Sequence, residues 1–491
     1  MKRNLLFLLL SAWVLSSCAT GPVPPDPFAI PWDDRSLFQA TLIAAEQPVL
    51  DQLPGATVYH MDLNLADDLT RVEGREQVRY TNRETLPLDQ VCMRTYPNVN
   101  GGAITVYEVQ IDGQAVTPTE HSARSAICLP LARALDPGGA VVLDLDFAVD
   151  VPTELGGNYG LLGFFEDVLV LDTFYPAIPV YDEQGWQIAT PARNGDLTYY
   201  DASFYLVRVN APRRVTLVAS GSEIGRVLRG RRQVVTLAAG PARDFYLAAS
   251  RRFVRESAQV GETNVHSYAT RSGRESARQA LRHAQAALQS FGGLLGAYPY
   301  TEMDLVSTPM TALGIEYPGT MGFNLRLYDP DAVVSGLPAP VLLESVVAHE
   351  VAHQWFYNAV GNDQQAQPWV DEAVVQYVTG LYFADVYGPQ GAESYRSSWL
   401  DRWDRVERAE IPIGKHAGDY DAKAYAPIVY GRGPLFIEAL AKEMGQPTFD
   451  AFLQDYYRAY QWEIATAEAF RALAETHCAC DLGPLFEEWV Y

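Results

Sequence analysis

The sequence predicts a multidomain α+β chain, strand-rich in front and helical behind. Three observations carry that expectation. At 491 residues the chain exceeds what one hydrophobic core ordinarily supports. From Val58 to about Phe253, short apolar or alternating runs are separated by turn residues. From about residue 256 the apolar spacing becomes helical, and beyond Pro340 almost wholly so. The expected architecture is an N-terminal antiparallel β-sandwich or saddle-shaped domain over 51–255. A second domain over 256–491 follows, with a small mixed α/β part and a mainly helical part.

The elements follow in chain order. "MKRNLLFLLLSAWVLSSCAT" opens with Lys2 and Arg3, then an apolar run too short to span a bilayer comfortably, then small residues. It reads as a signal peptide over 1–17. "LSSC" resembles a bacterial lipoprotein box, which implies acylation of Cys18; a plain signal peptide with an incidental cysteine is the alternative. The proline-rich stretch that follows predicts an extended tether over 18–50. The chain is then expected to be exported and lipid-anchored in the cell envelope, with its folded domains outside the cytoplasm.

"VYHMDLNL", "EQVRYTN", "AVVLDLDFAV", "FYLVRVNA", "RVTLVASG" and "QVVTLAAG" supply the strands, punctuated by "DPGG" and "NGD". Cys92 and Cys128 lie in strand-like runs and could pair in an oxidising compartment. "ESARQALRHAQAALQSFGG" has helical spacing and ends in glycines; "EMDLVSTPM" and "GTMGFNLRLYD" read as strands. The helical tail comprises "APVLLESVVAHEVAHQWFYNAVG", "DEAVVQYVTGLYFADVYG", "GRGPLFIEALAKEMG", "TFDAFLQDYYRAY" and "ATAEAFRALAETHC". Cys478 and Cys480 beside His477 read as a local disulfide or two free thiols rather than a metal site. Three donors within four residues poorly surround a tetrahedral ion.

A formal charge of -23 excludes nucleic acid as a partner, because little basic surface is available against phosphate. The chemistry lies elsewhere. His349 and His353, two of eight histidines, stand four apart and project from one helix face. With Glu350 they form H-E-x-x-H, a pattern that supplies two zinc ligands and a general base. A third protein ligand is needed, leaving one position for water. Glu372, nineteen positions beyond His353 with eighteen residues between them, opens the next apolar helix and can supply it. Asp371 beside it could orient a histidine from behind, though an acid at a helix N-terminus needs no such role. The donor set suits one zinc ion per chain and could also take manganese or cobalt.

This spacing resembles the aminopeptidase N family of gluzincins. "ALGIEYPGTMGFN" is similar to that family's G-A-M-E-N segment, and "IVYGRGPLF" to its Y-x-K-G segment. The resemblance extends over the strand-rich half, and it lacks the family's larger C-terminal helical domain. It implies that 256–491 is a thermolysin-like catalytic domain. It also implies substrate binding at Gly314 and Glu316, and a phenol at Tyr430 that stabilises the transition state, with Tyr425 assisting. Three single positions and one run depart from the pattern: Leu313 and Tyr317 in the first segment, Arg432 in the second, and the run "DEAVV". The implied activity is a zinc aminopeptidase acting on peptides with a free N-terminus. A zinc endopeptidase or dipeptidase could use the same site, and so could a catalytically lapsed surface-binding lipoprotein.

Overall fold

The computed structural model describes residues 25–154 and 158–491. The expected signal peptide and Cys18 lie outside the described residues. The expected tether does not hold for residues 25–50. That stretch docks onto the body as short 3-10 turns, among them Ser36–Thr41 and Gln47–Asp51. Between its prolines it carries Phe38, Leu42, Val49 and Leu50, and all four are buried in the main core. Thr301 donates its N–H to the Thr41 carbonyl, and Leu42 bridges to Tyr300. Proline stiffened the segment, but apolar burial fixed its place.

The N-terminal domain centres on an eight-stranded sheet running Ser222–Arg229, Arg232–Ala242, Ser203–Pro212, Val58–Leu65, Arg71–Thr81, Ala140–Asp150, Ala103–Ile111 and Gln114–Ala115. All neighbours are antiparallel except Val58–Leu65 and Ser203–Pro212, which run parallel because most of the domain intervenes between them. Three- and four-stranded sheets cover it, and Met61, Leu63, Leu145 and Phe147 fill the layer between. Cys92 and Cys128 face each other across a strand pair and form a disulfide; Cys478 pairs with Cys480.

A five-stranded sheet opens the second domain, in the order Phe253–Val260, Thr263–Thr270, Glu302–Thr308, Thr320–Asn324, Gly314–Tyr317. Helix α1 (Arg274–Leu294) packs between this sheet and helix α2 (Ala339–Ala352). Helix α3 (Trp369–Asp404) follows and is interrupted at Gly388, where φ is 69° just before Pro389. The three remaining expected helices appear as Gly433–Met444, Gln446–Tyr460 and Ala467–Cys478, and a further helix, Gly483–Trp489, was not expected.

One expected helix is shorter in the structure. α2 stops at Ala352, and residues 353–361 turn back instead of continuing. Tyr357 there has φ 118°, a strained value for a bulky residue. Its hydroxyl donates to Asp244 of the N-terminal domain at 2.7 Å. Beside it, the buried Arg243 guanidinium donates to the carbonyls of Asn358, Ala359 and Glu463 at 3.0, 2.9 and 2.7 Å. These contacts bolt the β domain to the turn that follows the histidine helix.

Asp244 makes a testable cost visible. Burial raises its carboxyl to about 7, against an ordinary 3.8, despite the donors Tyr357 and Thr198. The folded chain therefore binds this proton more tightly than the unfolded one. Stability from that group is full below about pH 4 and is lost as pH rises towards 7, by roughly 4 kcal/mol at most. The Asp244→Asn variant is expected to lose less stability than the parent between pH 5 and 8, measured by thermal melts at both pH values. Parallel curves would remove Asp244 as the cause.

Candidate metal centre

The end of α2 and the first turn of α3 build the site. His349 lies in the last turn of α2, and His353 caps it with near-helical backbone angles. Their Nε2 atoms stand 3.2 Å apart. Glu372 reaches across with Oε2 at 3.2 Å from His349 and 3.5 Å from His353. Four donors placed tetrahedrally at about 2.0–2.1 Å from an ion lie about 3.3 Å apart. This triangle has that size, and all three residues are buried. Glu372 Oε2 also lacks a hydrogen-bond partner, an orphan that a cation resolves. The donor set fits a divalent ion.

The ring orientations are fixed from outside. His353 Nδ1 donates to the Phe356 carbonyl at 3.0 Å, and the Gln376 amide faces His349 Nδ1 at 3.3 Å. Gln376 is itself held by the Tyr395 hydroxyl at 2.8 Å. Asp371 does not orient a histidine. Its carboxylate accepts from the Glu372 N–H at 2.8 Å and from Gln364 Nε2 at 3.0 Å. One residue along a helix turns the side chain by about 100°, so Asp371 and Glu372 cannot face the same point.

Glu350 is buried beside the cluster. A Cβ on Gly314 would lie 2.3 Å from Glu350 Oε1, so a larger residue there must shift the carboxylate or the Gly314–Tyr317 strand. Glu316, on the same strand, accepts from Gln364 Nε2 at 3.0 Å and lies 3.9 Å from His353 Nδ1. Tyr430 donates to Glu372 Oε1 at 2.5 Å from a π-turn, Ile428–Arg432. Tyr425 is buried with its hydroxyl unpartnered, its ring 6.1 Å from that of Tyr430.

His349, Glu350, Glu372, Glu316, Tyr425 and Tyr430 line one cavity of about 340 Å³. The N-terminal domain adds Asp196, which sequence reasoning missed. Gly195, at φ 78°, turns that loop inward, and Gln365 Nε2 holds the Asp196 carbonyl at 2.7 Å. Gln364 and Gln376 were also missed. A lone glutamine carries no local signal, and only its partners give it meaning.

Electrostatics agrees with a cation site. Burial, then the charge of Glu316, lifts the Glu350 carboxyl well above its ordinary range. Burial chiefly, followed by Glu316 and Glu372, does the same to Asp196. Burial holds His349 down at about 4, so its imidazole is neutral. More carboxylate faces this cavity than the imidazoles can balance.

Two of the departures from the family pattern, Tyr317 and Arg432, have structural explanations. The Tyr317 ring stacks on Tyr246 with centroids 3.9 Å apart, and its carbonyl accepts from Gln354 at 3.0 Å. Arg432 donates to the carbonyls of Ile411, Glu488 and Trp489, tying the last helix to the body.

Comparison with known proteins places this geometry. Residues 280–489 match the model of the peptidase family M1 domain. Aminopeptidase 2 of Candida albicans is 23% identical over 433 residues, covering 83% of this chain and 45% of that protein. The chain thus spans less than half the length of that relative. Among solved structures, the M1 zinc metallopeptidase of Deinococcus radiodurans superposes with a TM-score of 0.62 at 20% identity, covering 89% of this chain and 94% of that one. A mutant of that enzyme bound to a Tyr-Ser-Ala substrate superposes with a TM-score of 0.63 at 19% identity, over 89% and 94% of the two chains. At such identity the likeness speaks for the shared fold.

Proposed function

We propose that this chain, whose residues 280–489 match the peptidase family M1 domain, is a zinc aminopeptidase removing N-terminal residues from peptides. The observation that carries the reading is the triangle of His349, His353 and Glu372 with Glu350 beside it in an acidic cavity. Zinc, when bound there, polarises the scissile carbonyl and brings the pKa of its water near neutrality.

The chain's own residues do the rest. Glu350 takes a proton at its carboxylate as water attacks, then passes it to the departing amine. Tyr430 donates its phenol hydrogen where charge gathers on the former carbonyl oxygen. Glu316 and Asp196 give the cavity acceptors for a peptide's free α-ammonium, through charge-assisted hydrogen bonds. Tyr425 and Gly314 line the path to them.

The test compares an aminoacyl chromogenic substrate with its N-acetylated twin. Acetylation is expected to lower kcat/KM by roughly 30-fold or more, since it leaves buried carboxylate unpaired at a cost of about 2 kcal/mol or above. Glu316→Gln should narrow the gap between the two substrates. Equal cleavage of both would replace the exopeptidase reading with an endopeptidase one.

Export and anchoring through a lipidated Cys18 are part of the same proposal. They are supported by the sequence of residues 1–18 and by the pairing of the other four cysteines in disulfides. Among the described residues no helix is long and apolar enough to cross a membrane. Labelling with radioactive palmitate in the native chain and in Cys18→Ala decides it; equal label in both would discard the anchor.

A further inference from the structure

We propose that His266, Glu302 and Asp304 form a second divalent-cation site, for zinc or manganese, in the cleft between the two domains. The observations are independent of the centre described above. His266 and Asp304 are register partners on adjacent parallel strands, and Glu302 lies two residues before Asp304 on the same face. One ligand atom from each lies within 4.8 Å of the other two. The opposite face of this strand, with Met303 and Leu305, is committed to the main core.

Asp304 is the decisive residue. It is 3% exposed, lines the cleft, and its Oδ1 has no hydrogen-bond partner. An unpaired buried carboxylate is among the costlier features a fold can keep. Among the described residues neither Glu302 nor Asp304 is in an ion pair. Arg226 is engaged with Glu223, and Arg255, held by the Tyr268 hydroxyl, acts on both carboxylates only from beyond ion-pair distance. One guanidinium at that distance does not balance two carboxylates, and a divalent ion supplies the remaining charge.

The rest of the surroundings fits. The His266 Nδ1 lies 2.8 Å from the Ser257 hydroxyl, a contact that steadies the ring as outer partners of ligating histidines do. One imidazole with two carboxylates suits zinc or manganese better than calcium, which favours all-oxygen cages. The cleft, about 550 Å³, leaves room for waters to complete the coordination. Glu223 and Arg226 of the N-terminal sheet form its far wall, so an ion here sits where the two domains meet.

The test is metal stoichiometry on the full chain, dialysed against zinc and measured by elemental analysis. The parent is expected to hold about two equivalents. The double variant H266A/D304N should hold one, and so should H349A/H353A. One equivalent in the parent, unchanged in H266A/D304N, would overturn the proposal, as would two equivalents persisting in that variant. Should H266A/D304N fail to fold, cobalt titration of the parent carrying a single equivalent of zinc, at the His349–His353–Glu372 centre, decides the matter. A visible absorption band saturating at one further equivalent supports the site, and its absence rejects it.

Discussion

Replacing Glu350 with glutamine is expected to cut kcat by about 10²- to 10⁴-fold while the centre keeps its metal. The glutamine occupies the same buried space but cannot accept the proton that the attacking water must lose. None of the three ligands is disturbed, since Glu350 is not in the His349–His353–Glu372 triangle. Metal content and the folding midpoint should therefore match the parent. The Gly314 contact offers a second route to the same residue. With a Cβ 2.3 Å from Glu350 Oε1, alanine at that position must displace the carboxylate or the strand. Activity close to the parent's in Glu350→Gln, with metal bound, would end the proposed role of this residue as base.

Removing the phenol of Tyr430 is expected to lower kcat by about 10²- to 10³-fold with little change in KM. The reason lies in timing. Charge on the former carbonyl oxygen exists only as the transition state forms, so a donor aimed there contributes little to ground-state binding. In the structure the hydroxyl rests on Glu372 Oε1 at 2.5 Å, close to where it would be needed. That contact also suggests a different outcome, which the experiment separates. If Tyr430 chiefly steadies Glu372, Tyr430→Phe will lose metal, and turnover per bound zinc will stay near that of the parent.

The chemistry was legible because it is short-range. Four residues along a helix return a side chain to the same face, so His349 and His353 had to converge once α2 formed. The apolar run opening α3 likewise marked Glu372 as a first-turn residue able to reach them. The strand-rich front and helical rear were readable for the same reason, since apolar period reports which face of each element is buried.

Less was readable where meaning depends on distant partners. The stretch 25–50 looked like a tether because proline is a local signal, whereas the pocket that receives Phe38 and Leu42 is not. The helix end at Ala352 was hidden because the apolar pattern runs on through Trp355 and Phe356. The turn is held from outside, by Arg243 and Asp244.

The sequence by itself determined the spacing of His349, His353 and Glu372, the place of Glu350 between the histidines and the order of strand-rich and helical halves, because each follows from backbone periods of a few residues. Only the tertiary structure decided that Asp196 enters the cavity and that Gln364 rather than a histidine takes Asp371. The same holds for His266, which meets Glu302 and Asp304 across a strand pair. Asp196 and His266 meet residues tens to hundreds of positions away, and even Gln364, seven positions before Asp371, reaches it from a turn rather than along a helix, so no local period specifies which side chain will arrive.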